Sequence, residues 1–240
     1  MLYWLLKYIV LGPWFFLAGR PTFEGASNFP NEGAALLAIN HLSASDWLFL
    51  PLRSPRRLTF LAKSEYFTGS GLTGKFQRFF FAQTGQVPID RTDADAATAA
   101  METGARVLAE GQILGMFPEG TRSPDGKLYR GKTGIARVAL KSGIPIVPVG
   151  LIGTDKFLGA DSHVPRPAKI RIRIGEPLDV SPWLDRIGER EAEREVTDEV
   201  MRRIQELTGQ EYVPDVYGAD VKEKLDALRE NRSDNAKDEK

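Results

Sequence analysis

The chain has no cysteine and only two histidines in 240 residues. Without cysteine there is no disulfide framework, no thiolate nucleophile and no cysteine-ligated zinc. The two histidines, His41 and His163, stand far apart in sequence, which argues against an imidazole-held metal, and no metal ligand is assigned. Neither sign of charge is in excess. The 32 Lys and Arg balance 32 Asp and Glu, and a net charge of +0 leaves no electrostatic footprint for nucleic acid. Internal repeats are missing, as is any linker long enough to separate a second globular domain. With 42% hydrophobic content the chain can bury one α/β core without cross-links.

An unbroken spanning helix is missing too. The apolar run over 1–18 is interrupted by Lys7 and by the Gly12-Pro13 pair, whereas a span wants about 20 apolar residues. A signal peptide would carry its basic residue ahead of the apolar run and a small-residue cleavage site after it, and neither is present. Two short helices lying in one leaflet account better for Trp4, Tyr8 and Trp14, whose rings favour a membrane interface. Residues 1–19 are therefore expected to form a membrane-associating helical segment, with a true span and a purely buried helix as the alternatives. The basic residues Lys7, Arg20, Arg53, Arg56, Arg57 and Lys63 outnumber Glu24, Glu32 and Asp46 over 1–64.

What the chain does have is four polar blocks set among glycine and proline: Asn40-His41-Leu42-Ser43-Ala44-Ser45-Asp46, Gly85-Gln86-Val87-Pro88-Ile89-Asp90-Arg91, Phe117-Pro118-Glu119-Gly120-Thr121-Arg122-Ser123 and Val147-Pro148-Val149-Gly150. In one continuous helix, His41 and Asp46 would point about 140° apart. The apolar run over 34–39 reads instead as a buried strand, and Ser43 with Asp46 reads as a helix start in capping-box spacing. A turn between them brings the carboxylate back to the imidazole, where it fixes the tautomer and steadies the imidazolium. A hydrogen-bonded structural histidine and a helix-start charge are the alternative, and the pair alone leaves both open.

The third block follows a buried strand over 112–116, placing Glu119 and Arg122 at a strand mouth, where open α/β sheets bind ligands. Arginine offers a planar fork suited to phosphate, and Glu119 can orient it or receive a hydroxyl. Arg91 and Lys63 also follow apolar runs, so three cations can converge on one anionic group. Ordinary surface ion pairs are the competing explanation in a chain that is 27% charged.

All four blocks, in this order across residues 40–150, resemble the glycerolipid acyltransferase family, whose bacterial members include the 1-acylglycerol-3-phosphate (lysophosphatidate) acyltransferases. The His-x4-Asp pair joined to Phe-Pro-Glu-Gly-Thr-Arg-Ser about 70 residues later carries the resemblance. It implies His41 as general base, Asp46 as its partner, and Lys63, Arg91, Glu119, Gly120, Thr121 and Arg122 as the acceptor and phosphate site. It implies acyl transfer from acyl-CoA or acyl-carrier protein to a hydroxyl of lysophosphatidate, forming phosphatidate at the cytoplasmic face of the cell membrane. The donor is a substrate and no cofactor is implied. Another lysophospholipid, glycerol 3-phosphate or a glycolipid as acceptor is the neighbouring reading. A non-catalytic lipid-binding module is disfavoured by the full set of His41, Asp46, Glu119 and Arg122. Residues 147–150 form a strand that the family uses near the acyl donor.

The implied fold is a single α/β domain over 20–210, with a mixed, mostly parallel sheet flanked by helices, followed by a charged extension over 211–240 whose end is expected to be disordered. Helices are expected from Thr92 or Asp93 to Leu108, over 133–141, over 189–207 and over about 221–229. Alternation over 169–174 reads as a strand with its isoleucines inward and its cations on a solvated edge. Phe76, Phe79 and Phe80 at helical spacing read as a helix packed on the sheet. Gly69-Ser70-Gly71-Leu72-Thr73-Gly74-Lys75 mimics a phosphate-binding loop. Phe76 stands where that loop needs Ser or Thr, so a nucleotide triphosphatase is rejected.

Overall fold

The apolar run at 34–39 becomes β2 (Ala35–Ile39), every residue of it buried, as expected of a strand covered on both faces. This is a computed structural model, and it describes residues 2–10, 12–89, 96–159, 162 and 164–238. The other strands are β1 (Thr22–Glu24), β3 (Leu58–Lys63), β4 (Gln86–Ile89), β5 (Ile113–Met116), β6 (Leu128–Tyr129), β7 (Ile146–Ile152), β8 (Arg171–Ile174) and β9 (Tyr212–Val213). The main sheet runs β1-β8-β7-β2-β5-β3-β4, and β6 with β9 makes a small second sheet. β7, β2, β5, β3 and β4 are mutually parallel, while β8 runs antiparallel to β7. The five parallel strands therefore end on the same side, and the first three polar blocks all reach that mouth.

The helices are α1 (Leu2–Leu5), α2 (Gly12–Gly19), α3 (Asp46–Arg53), α4 (Glu65–Thr68), α5 (Gly71–Gln83), α6 (Ala96–Ala109), α7 (Gly134–Ser142), α8 (Thr154–Phe157), α9 (Arg190–Thr208) and α10 (Gly218–Asp238). Two-residue alternation along β2 divides the core. Leu36 and Ala38 face Val107 of α6, Ile135 of α7 and Val200 of α9. Ala35, Leu37 and Ile39 face Phe49 and Leu50 of α3 and Phe157 of α8. The stripe read over 189–207 is the buried face of α9, where Val196, Val200 and Ile204 are sealed.

The N-terminal run folds as α1, a π-helical turn (Leu6–Val10) and α2. Among the described residues no helix is long and apolar enough to cross a membrane. Lys7 is not a solvated break in this run. It is buried, donates from Nζ to the Ser54 carbonyl just past the end of α3, and lies 5.1 Å from the centroids of both Trp4 and Tyr8. A cation suits a helix C-terminus and aromatic faces alike. Burial, helped by Arg53, pushes its ammonium down to about 8. Phe15 of α2 packs 5.9 Å from both Phe49 and Phe157, which fastens the segment to the domain.

Several expectations need correction. The strand at 169–174 is not an edge: β8 lies between β1 and β7, and Arg173 pairs with Glu24 of β1 and donates to the Leu207 carbonyl. Past 210, β9 pairs with β6 and Gly218 packs against Tyr129. α10 begins at Gly218 and continues to Asp238, through most of the stretch expected to be disordered. Phe79 is exposed, whereas Phe80 and Phe81 turn toward Trp47 of α3. Most of the glycine-rich stretch over 69–75 lies inside α5, and α4 rather than a strand precedes it, so it lacks the strand-to-loop geometry of a phosphate cradle. The expected caps Thr92 and Asp93 lie outside the described residues.

Candidate active site

Pairing of β2 with β5 in register, Ala38 opposite Met116, sends His41 and Phe117 out of the sheet side by side. Their rings stack at 4.0 Å and 20°, and Phe117 continues the stack onto Phe60 at 5.8 Å. Asn40, just before the histidine, completes the sheet with its side chain. Its Oδ1 accepts the Leu151 N–H at 2.7 Å and its Nδ2 donates to the Leu151 carbonyl at 2.9 Å. An asparagine at that strand end thereby does what backbone would do, and it fixes where the following turn begins.

The turn closes as the spacing predicts. His41 Nδ1 lies 2.8 Å from Asp46 Oδ2, with the carboxylate fully buried and the imidazole 20% exposed. The same oxygen accepts the backbone N–H groups of Leu42 at 2.7 Å and Ser43 at 2.8 Å. The bond to Ser43 N–H is the return half of a capping box. The serine half is different: α3 starts at Asp46, three residues after the expected cap, and Ser43 Oγ instead accepts the Ser45 N–H and donates to the Leu158 carbonyl. Asp46 thus orients the ring through Nδ1 and leaves Nε2 as the nitrogen available for proton transfer.

Glu119 follows β5 at the strand mouth, with its carboxylate turned inward. Its side chain is 1% exposed, and both oxygens are taken by backbone donors, Oε1 by His41 N–H at 2.9 Å and Oε2 by Tyr129 N–H at 3.1 Å. Its two hydrogen bonds thus go to the backbone of the turn after β2 and of β6. Burial pushes its carboxyl from the ordinary 4.5 up to about 7, against the two amide bonds, which lower it, and with Asp46 raising it further. The neutral form is favoured more in the fold than in the unfolded chain, so its contribution to stability is complete below pH 4.5 and lost as pH rises through about 7, above which the carboxylate prevails.

The three residues after Glu119 are more open to solvent. Gly120 is exposed with φ of 70°, and Thr121 and Arg122 are half-buried. No metal-holding group of three or more His, Asp or Glu occurs among the described residues. Lys63 ends β3 opposite Ile89 of β4 at the same mouth, but its side chain lies outside the described residues, as does all of Arg91. One cation escapes the sequence reading. Lys132 is exposed, its N–H bonds the Pro118 carbonyl at 2.8 Å, and its side chain lies across Gly120, within 3.1 Å of where a Cβ would stand. The Gly131-Lys132-Thr133-Gly134 stretch was the available signal, a lysine held between two glycines beside the third block. Gly120→Ala should lose about 1–2 kcal/mol of stability, from the left-handed φ and the crowded lysine, measured as a shifted denaturation midpoint.

The family model described as Acyltransferase matches residues 20–152. The chain belongs to that family. The 1-acyl-sn-glycerol-3-phosphate acyltransferase of Limnanthes alba is 32% identical over 187 residues, which cover 77% of this chain and 64% of that protein. The enzyme of the same name from Bacillus subtilis (strain 168) is 28% identical over 193 residues, covering 80% of this chain and 89% of that protein. The chain thus spans less than two thirds of the plant relative and most of the bacterial one. The crystal structure of the 1-acyl-sn-glycerophosphate (LPA) acyltransferase, PlsC, from Thermotoga maritima superposes with a TM-score of 0.64 at 26% identity, covering 85% of this chain and 79% of that one. The family match reaches from just after α2 to the end of β7, so it takes in the whole of the His41, Asp46 and Glu119 geometry.

Proposed function

We propose that the protein is a membrane-associated O-acyltransferase that moves a fatty acyl chain from acyl-CoA, or from an acylated carrier protein, to the free hydroxyl of lysophosphatidate. The observation that carries this is the buried Asp46 carboxylate bonded to His41 Nδ1 at the mouth of the parallel strands. His41 Nε2 takes the proton of the acceptor hydroxyl as its oxygen attacks the thioester carbonyl. The tetrahedral intermediate collapses with cleavage of the C–S bond, and the imidazolium, steadied by Asp46, returns the proton to the departing thiolate. The products are phosphatidate and free thiol. Arg122 and Lys132, with Lys63 and Arg91, supply the cations for the acceptor phosphate.

The N-terminal helices support the membrane assignment, which the proposal puts at the cytoplasmic face of the cell membrane. Trp4, Tyr8, Ile9, Trp14 and Leu17 are exposed there, while the one charge in the run, Lys7, is turned inward. The double substitution Ile9→Glu with Leu17→Glu removes two outward apolar groups, each worth about 1.5–3 kcal/mol on burial. Sedimentation with phospholipid vesicles should show binding weakened by about 10²-fold or more, with the thermal unfolding midpoint retained.

The acceptor assignment is tested with purified protein, one labelled acyl-CoA, and a panel of lysophosphatidate isomers, lysophosphatidylcholine, glycerol 3-phosphate and a glycolipid, followed by positional analysis of the product. Lysophosphatidate should be the fastest acceptor and phosphatidate the product. Equal or faster transfer to a lysolipid lacking a phosphomonoester contradicts the assignment.

A further inference from the structure

His41 is held at four points. Asp46 binds ring Nδ1 at 2.8 Å and Phe117 covers the ring face at 4.0 Å. The Ser123 N–H binds the His41 carbonyl at 2.7 Å, and Glu119 Oε1 binds the His41 N–H at 2.9 Å. Three of the four holds come from the 117–123 block, so that block grips the histidine besides opening on the acceptor.

We propose that Glu119 is a positioning residue, acting on the reaction through the backbone of His41 rather than through the acceptor, and that it does so as the carboxylate. This rests on the reading of His41 as the general base. Two buried N–H groups, on His41 and Tyr129, need two acceptor oxygens. An ionised carboxylate supplies both. A protonated one keeps a single good acceptor and adds an O–H that needs a partner of its own. The groups facing Glu119 are His41 and Asp46 from the turn after β2, Tyr129 of β6 with Asp125 bonded to its hydroxyl, and Lys132 across Gly120. Burial, with the Asp46 carboxylate adding to it, holds the Glu119 pKa near 7 against the pull of the two amides. Protonation therefore loosens the strand-end amide of the base itself. A shift of about 1 Å in a catalytic group is enough to cost about 10²-fold in rate.

The test uses the full chain in lipid nanodiscs, labelled with ¹⁵N at tyrosine and histidine. In the wild type the backbone amides of Tyr129 and His41 should share one titration step near pH 7. His41 ionisation alone would move only its own amide. Glu119→Gln keeps one acceptor oxygen but turns an NH2 toward the other N–H, so the shared step should vanish from its spectra. Its kcat should fall by about 10²-fold, with the lysophosphatidate KM within about two-fold of wild type. A KM raised about ten-fold or more with kcat preserved overturns the proposal, because that marks an acceptor contact. A Tyr129 amide that stays flat from about pH 5 to 9 in the wild type overturns it as well, and needs no variant to fold. If the shared step appears while the wild type transfers no acyl group, the proposed function fails and the ionisable link between Glu119 and His41 stands.

Discussion

His41→Ala is expected to lower kcat for acyl transfer by about 10²–10⁴-fold, the range supplied by a positioned general base, with little change in the KM for lysophosphatidate. The size follows from the geometry. His41 is the only imidazole at the strand mouth among the described residues, its Nδ1 is committed to Asp46, and the chain has no cysteine to take over as nucleophile. The serines of the block are occupied elsewhere. Ser43 Oγ donates to the Leu158 carbonyl and is bonded to Ser45 Oγ at 3.0 Å, and both serines are buried. Folding should survive the change. The imidazole is partly exposed and sits on Phe117, so its loss removes one ring contact worth about 1 kcal/mol and no buried polar partner except the Asp46 oxygen, which keeps two amide donors. Initial rates on mixed vesicles, alongside a thermal melt, measure both quantities.

Asp46→Asn is expected to cost a comparable factor, about 10²–10⁴-fold in kcat, by a different route. With its carbonyl toward the ring, asparagine still accepts from Nδ1 but carries no charge to steady the imidazolium. With its amide toward the ring, it favours the tautomer that has its proton on Nε2, the nitrogen that must accept the substrate proton. Comparison with Asp46→Ala separates catalysis from folding. Alanine strands the amides of Leu42 and Ser43, both buried, at about 1–3 kcal/mol each, so that variant should lose stability as well as rate. The asparagine variant, with its carbonyl oxygen kept on those two amides, should melt close to wild type. An equal drop in melting temperature for both would mean that Asp46 serves the turn alone.

The site was readable in sequence where covalent spacing dictates geometry. His41 and Asp46 are close in the chain, and a strand end followed by a helix start leaves them one way to meet. The parallel core strands were readable because burial on both faces removes the polar alternation. Features set by contacts distant in sequence were not. Glu119 looks like any carboxylate at a strand mouth until β6, ten residues later, folds back and offers the Tyr129 amide. Lys7 reads as a break in an apolar run, and only the arrival of the Ser54 carbonyl, 47 residues on, turns it inward. β8 reads as an edge because nothing in the three residues of β1 announces a strand. β6 and β9, two residues each, carry no periodicity at all.

The inward turn of Glu119 divides the third block. Phe117, Glu119 and Ser123 face the histidine, while Gly120 and Arg122, joined by Lys132, lie at the opening. Small glycines at that opening keep it low: a side chain at 120 would collide with Lys132. On the proposed function, substitutions should sort accordingly, with those facing inward lowering kcat and those facing outward raising the acceptor KM.

The measurement that bears most directly on His41 as the general base is a time course on vesicles containing lysophosphatidate and labelled acyl-CoA, following phosphatidate and free thiol with the wild type and His41→Ala side by side. Base catalysis by His41 predicts one thiol released for each phosphatidate formed by the wild type, and a rate lower by at least about 10²-fold in the variant. Phosphatidate formed by His41→Ala within a few-fold of the wild-type rate would contradict it.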